Sequence, residues 1–330
     1  RGRVRKPWSN RSRPTVAGRC SGGYGSRMPR ASVPANIGTV ELEYETFGSS
    51  ADPTLLLVMG FTAQMIAWDD AFCHALAGLG LHVVRFDNRD CGLSTKLDGM
   101  SVDPGPVMAA VFANEPAPAV PYTLSDMASD AIGLLDHLGV DSAHIVGASM
   151  GGMIVQHMAI EHPTRVRSLT SIMSMTGEPE YGSPTPEAAE VLLAPPETER
   201  QAYIDASPRY GVWQSKRYFD EVKVKEQAAR SYDRSFYPEG SARQLAAIYA
   251  SGRRHEALAR LDVPTLVIHG TDDTLIPPSG GKRTHEVTPG STLLMIADMG
   301  HDIPEPLQPM VVAAIGSHVR LAESHRSGRR

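Results

Sequence analysis

The apolar pattern of the chain changes period several times, and each change marks an element. Residues 39–47 alternate apolar and polar positions, which predicts an antiparallel edge strand with one wet face. Thr54–Met59 is a continuous apolar run, as a strand buried on both faces requires. Met65–Leu79 then places Ile66, Trp68, Phe72, Leu76 and Leu79 at helical spacing, and Gly80 ends the helix. Leu81–Phe86 is a second buried strand. Residues 98–121 hold seven glycines or prolines and read as a long surface loop. A helix capped by Thr123 or Ser125 runs to Leu138, and an apolar strand follows, ending at Gly147. A further helix stops at His162-Pro163, and Val166–Met173 is the next strand.

From Gly177 to about Leu261 the alternation of strand and helix breaks. This stretch opens on prolines and continues in helical segments at Pro186–Leu193, Thr198–Ala206 and Ser241–Ala259. It reads as a helical cap, residues 177–261, inserted into a core formed by residues 31–176 and 262–323. Buried strands resume at Val263–Gly270 and Ser291–Ile296, and an amphipathic helix spans Pro306–Leu321. The expected class is α/β: a mostly parallel central sheet flanked by helices, with a helical insertion.

Composition narrows the picture. With 330 residues, 42% hydrophobic and 21% charged, the chain is globular, and no apolar run reaches membrane-spanning length. Three scattered cysteines give no disulfide framework and no metal site, and fit a reducing, cytoplasmic setting. Nine of the 32 basic residues fall in residues 1–30, which hold no acid, so the remainder carries 23 basic against 37 acidic residues. An acidic body argues against nucleic acid as a partner. The basic, Gly- and Ser-rich segment 1–30 is expected to be disordered, with Met28 as the natural start, and residues 324–330 to form a disordered tail.

Candidate chemistry gathers at strand ends. Gly147-Ala148-Ser149-Met150-Gly151 is a G-x-S-x-G between a predicted strand and a predicted helix, the context of a nucleophile elbow. A serine held in that sharp turn is presented at the sheet edge, with the N-terminus of a helix behind it. Gly60-Phe61 follows a buried strand, where backbone can approach a ligand, so the N–H groups of Phe61 and Met150 are candidate oxyanion donors. Further on, an aspartate at 272 or 273 and then His301 also end strands. Parallel strands bring such ends to one sheet edge. Serine needs a base, and the base needs a carboxylate to fix its tautomer. His269 reads as a packed core histidine and Asp302 as a loop or solvent residue. In Asp87-Asn88-Arg89-Asp90, Asp87 and Arg89 are expected to pair and pin the loop. No metal-ligand spacing occurs, and no cofactor is expected.

Across residues 36–322 these pieces resemble the serine α/β-hydrolases. The match rests on Met59-Gly60-Phe61, Asp87-Asn88-Arg89 with Gly92 and Ser94, the Ser149 elbow, Gly270-Thr271-Asp272-Asp273 with Pro277, and Gly300-His301. Within that superfamily the chain is most similar to aclacinomycin methylesterase-like and lipase/esterase-type hydrolases of actinobacteria. The resemblance implies an α/β-hydrolase fold, Ser149 as nucleophile, Asp273 rather than Asp272 as the acid, His301 as the base, and a small-molecule or lipid ester as substrate. Met59 stands where a histidine is usual, and Asp90 where glycine is common. Other readings on the same triad are a cofactor-free perhydrolase or an aminopeptidase. A ligand-binding protein that does not turn over is a reading of a different class.

Overall fold

The computed structural model describes residues 29–327; the basic segment through Met28 and residues 328–330 lie outside them. The described residues begin with a hairpin that the alternation at 39–47 announced only in part. Strand β1 (Arg30–Ala35) pairs antiparallel with β2 (Gly38–Phe47) across a tight turn, with Gly38 at φ +107°. Ala31 and Val33 point inward from β1. Pro34 is tolerated because β1 is the sheet edge. Arg30, expected to belong to a disordered arm, is in the strand and pairs with Glu43 at 2.7 Å.

Strand β3 (Thr54–Val58), helix α1 (Asp70–Ala77), β4 (His82–Phe86), α2 (Pro104–Phe112), α3 (Leu124–His137), β5 (Ala143–Ala148), α4 (Met150–Glu161) and β6 (Val166–Ile172) follow in order. Five helices then intervene: α5 (Pro186–Leu193), α6 (Arg200–Ala206), α7 (Glu221–Arg234), α8 (Glu239–Ala250) and α9 (His255–Leu258). The chain closes with β7 (Thr265–Gly270), α10 (Pro278–Val287), β8 (Thr292–Ile296) and α11 (Gln308–Ser327).

Among the described residues, eight strands form one sheet in the order β1-β2-β4-β3-β5-β6-β7-β8. Every pairing from β4 to β8 is parallel. Successive residues of a strand face opposite sides, so a run such as Leu55-Leu56-Leu57-Val58 must be apolar throughout. Leu55 and Leu57 pack in one core cluster with α1 and α11, and Leu56 and Val58 pack in the other with α3 and α4. The chain moves outward from β3 to β4, then crosses back to place β5 on the other side of β3. A crevice opens at such a switch point, outside the carboxyl ends of β3 and β5.

Several boundaries differ from the sequence reading. The glycine- and proline-rich loop contains α2. Asp103 caps it by accepting from Gly105 N–H at 2.9 Å, and Pro104 occupies the first turn, where its missing N–H costs nothing. The helix expected from Met65 starts at Asp70, because Asp69 takes the cap position and accepts from Phe72 N–H. Helix α7 was not expected: of its residues only Ala228 is buried, so its apolar stripe of Val224, Ala228 and Tyr232 is narrow and half-exposed. The single helix expected over 241–259 is two, split at Gly252 with φ +60°. Helix α11 continues to Ser327, into the expected tail. Among the described residues, no helix is long and apolar enough to cross a membrane.

Candidate active site

Ser149 stands between β5 and α4 with φ 56° and ψ −120°, a strained conformation for any residue but glycine. Its neighbours explain how the strain is held. A Cβ on Gly147 would overlap the Gly151 carbonyl, and one on Gly151 would overlap the Val58 carbonyl at the end of β3. The elbow is thus packed between its own helix and the adjacent strand. The Ser149 N–H donates to Ile172 O at 2.9 Å, and Ser174 Oγ donates to Ser149 O at 2.9 Å.

The three side chains singled out by their strand-end positions meet here. His301 Nε2 lies 2.8 Å from Ser149 Oγ, and His301 Nδ1 lies 2.7 Å from Asp273 Oδ2. Asp273 is buried, and its other oxygen accepts the N–H groups of Leu275 and Ile276, each at 2.9 Å. Those two bonds and the imidazole leave the carboxylate one orientation. Asp272, the alternative, is turned away: its Oδ1 accepts from Thr271 Oγ1 at 2.9 Å. Gly60 passes directly over the serine, with room for a Cβ only 3.0 Å from Ser149 Cβ. Phe61 N–H has no hydrogen-bond partner among the described residues. Met150 is the first residue of α4.

His269 does more than fill the core. It is fully buried, its Nε2 donates to Ile276 O at 2.7 Å, and the same atom lies 3.5 Å from Asp273 Oδ2. Burial pushes this imidazole below its ordinary pKa. A neutral ring whose Nε2–H points to a carbonyl supports the acid turn from behind.

The loop after β4 departs from expectation. Asp87 and Arg89 do not pair. Arg89 makes a bidentate pair with Asp130 of α3 at 2.6 Å for both bonds, while Asp87 accepts from the N–H groups of Met65 and Leu93 and pairs with Arg234 of α7 at 2.8 Å. Gly92 is required because a Cβ there would overlap the Asp87 carboxylate. Asp90, whose role sequence left open, makes a buried bidentate pair with Arg243 of α8 at 2.8 and 2.9 Å. Asp90→Ala strands that guanidinium in the interior and is expected to cost about 3–5 kcal/mol. Urea unfolding measures the loss.

The helices between β6 and β7 also reach the other side of the site. His301 N–H donates to Trp213 O at 2.6 Å, Ser215 Oγ donates to Asp298 O at 2.6 Å, and Thr274 Oγ1 donates to Val212 O at 2.9 Å. Asp302, expected as a loop or solvent residue, lies in a loop but accepts Ser215 N–H at 2.9 Å, and desolvation raises its carboxyl above the usual range. A Cβ on Gly300 would overlap this crossing backbone. Little in the local sequence of residues 212–215 signals the contact, since apart from the Ser215 hydroxyl this segment makes it with main-chain atoms.

Two cavities flank the site. An apolar one of about 60 Å³ is lined by Phe112, Met153, Met175, Ile248 and Tyr249, with Met153 one turn along α4 from Ser149. An open groove of about 510 Å³, lined by Gln214, Tyr218, Phe219, Lys223 and Pro304, lies beyond the Trp213–Ser215 backbone.

Known proteins share this fold. The chain is 28% identical over 306 residues to rhodomycin D methylesterase DnrP of Streptomyces peucetius, covering 86% of this chain and 96% of that one. It is 24% identical over 278 residues to the bifunctional esterase/perhydrolase DCH of Acinetobacter calcoaceticus, covering 80% and 91%. Among solved structures, a thermophilic esterase from Thermogutta terrifontis superposes with a TM-score of 0.68 at 24% identity, over 89% of this chain and 99% of that one. The meta-cleavage product hydrolase CumD of Pseudomonas fluorescens IP01 superposes with a TM-score of 0.69 at 18% identity, over 88% and 97%. A family model described as the alpha/beta hydrolase fold matches residues 53–305, most of the chain, and the protein belongs to that family.

Proposed function

We propose that the protein is a serine esterase that cleaves carboxylic esters of an apolar substrate through an acyl-enzyme. The observation that carries this reading is the hydrogen-bonded line from Ser149 Oγ through His301 to the buried Asp273. His301 Nε2 takes the Ser149 proton as Oγ attacks the ester carbonyl. The N–H groups of Phe61 and Met150 receive the developing oxyanion, aided by the N-terminus of α4. His301 then gives its proton to the leaving alkoxide, and the ester C–O bond breaks. Water repeats the cycle with the same proton path, releasing the acid and free Ser149. Asp273 holds the imidazole with Nδ1–H toward itself and stabilises the imidazolium.

The segment 177–261 serves in this reading as a cap that excludes water from the acyl-enzyme. The apolar lining beside Met153 is in keeping with an apolar substrate, and the methylesterase relatives favour a small alcohol as leaving group. A second reading is supported by the relative named as an esterase/perhydrolase: hydrogen peroxide in place of water would take the acyl group as a peracid. A series of p-nitrophenyl esters of rising acyl length tests the primary reading. We expect turnover with an optimum set by the pocket under the cap. No turnover at any length, with no single-turnover acyl adduct on Ser149, would overturn it.

A further inference from the structure

We propose that Gln244, carried on α8, is a positioning residue for the oxyanion loop. Its amide spans two loops of the sheet edge: Oε1 accepts Thr62 N–H at 2.8 Å, and Nε2 donates to Arg89 O at 2.9 Å. This inference rests on the reading above that Phe61 N–H receives the oxyanion.

The loop after β3 needs such a tie. Thr62 has φ 56°, a conformation that a β-branched residue adopts only when its surroundings hold it there. The Ala63 N–H closes the turn weakly on Gly60 O at 3.3 Å. The ends of the loop are secured separately: Asn88 Nδ2 donates to Met59 O at 2.8 Å, and Met65 N–H donates to Asp87 Oδ1 at 2.7 Å. Gln64 is drawn outward to α7, donating to the Ser231 and Ser235 carbonyls at 2.7 and 2.8 Å. Between these anchors, the Thr62 N–H is the main-chain donor that a side chain holds, and Gln244 holds it. The peptide that carries this N–H begins at Phe61. The Phe61 N–H sits in the preceding peptide, Gly60–Phe61, so holding the Phe61–Thr62 plane in place limits the rotation about the two Phe61 torsions through which that N–H could swing.

Gln244 itself cannot move freely. It is fully buried, and both ends of its amide are used. Its neighbour Arg243 is locked by the Asp90 pair. The amide therefore transmits the rigid position of α8 to the loop. A buried amide is justified here because each partner would otherwise be an unpaired main-chain group.

The test compares wild type with Gln244→Met, Gln244→Asn and Gln244→Glu. Methionine matches the length and removes both bonds, asparagine is too short to span both partners, and glutamate keeps the acceptor for Thr62 N–H. A misplaced donor, unlike a deleted one, is expected to lower kcat for a p-nitrophenyl ester about 10- to 100-fold in the Met and Asn variants. KM should stay within about twofold, and affinity for an arylboronic acid, which forms a tetrahedral adduct on serine, should fall in parallel with kcat. Glutamate should lose less than about tenfold, since the bond to the loop survives. Amide hydrogen exchange reads the loop without reference to turnover: residues 60–64 should exchange faster in the Met and Asn variants, and residues 149–153 should not. Should the Met variant not fold, the Asn variant carries the same arms. Wild-type kcat and boronate affinity in a folded variant, a change in KM alone, or unchanged exchange at 60–64 would overturn the proposal. Absence of Ser149-dependent turnover in wild type would refute the esterase reading instead, and the exchange arm would still decide the role of Gln244.

Discussion

Ser149→Ala is expected to reduce ester turnover by about 10⁶-fold while the protein stays folded. The side chain removed is a single hydroxyl with one hydrogen-bond partner, His301. The strained backbone at residue 149 is held by groups that alanine leaves untouched: the Ile172 carbonyl, the Ser174 hydroxyl and the overlap-free glycines at 147 and 151. Thermal unfolding should therefore match wild type closely. What remains in the variant is water attack assisted by the two oxyanion amides, which is the reason a residual rate above background is expected rather than none. Steady-state kinetics on p-nitrophenyl acetate, with unfolding of the same preparations, makes the comparison. Turnover within tenfold of wild type would remove Ser149 from the mechanism.

Asp273→Asn should lower kcat by about 10⁴-fold, and Asp272→Asn by less than about twofold. The argument turns on donors and acceptors. At position 273, two backbone N–H groups, those of Leu275 and Ile276, demand an oxygen. An asparagine side chain there must give them its carbonyl oxygen, which aims its NH₂ at His301 Nδ1. That nitrogen then has to accept, so the proton of the neutral imidazole moves to Nε2, 2.8 Å from Ser149 Oγ. The base faces its nucleophile with a donor instead of a lone pair. Asp272 lies outside this line and accepts only from Thr271. A pH–rate profile checks the same point, because the Asp273→Asn variant should show a depressed plateau rather than a merely shifted one. Equal effects at the two positions would contradict the assignment.

Much of the site was legible because it rests on local chemistry. The elbow announces itself through three small residues around Ser149, and His301 and the aspartates end apolar runs whose direction the sheet fixes. Only the family resemblance, not the chemistry of the residues, favoured Asp273 over Asp272, since the two are adjacent in the turn after β7 and what distinguishes them is the turn's amides. The failed pairing of Asp87 with Arg89 has the same origin: two residues apart on a turning loop, they face different partners, Arg234 and Asp130, that lie far off in sequence. Helix α7 was illegible because it carries little apolar surface, and α2 because proline and glycine also begin helices. The contributions of Gln244, Trp213 and Ser215 depend on long-range packing or on main-chain atoms, for which side-chain identity gives no signal.

The backbone crossing at Trp213–Ser215 bears on how this protein could be re-engineered. Families with inserted helices invite cassette exchange, in which one insertion is replaced by another to change the substrate accepted. Here the stretch that would be cut away supplies the acceptor for His301 N–H and the partner of Asp302. A transplant made at the ends of residues 177–261 would therefore remove part of what holds His301 in place. A chimera that keeps residues 212–215, and varies only the helices on either side, retains the hydrogen bonds joining Ser149, His301 and Asp273.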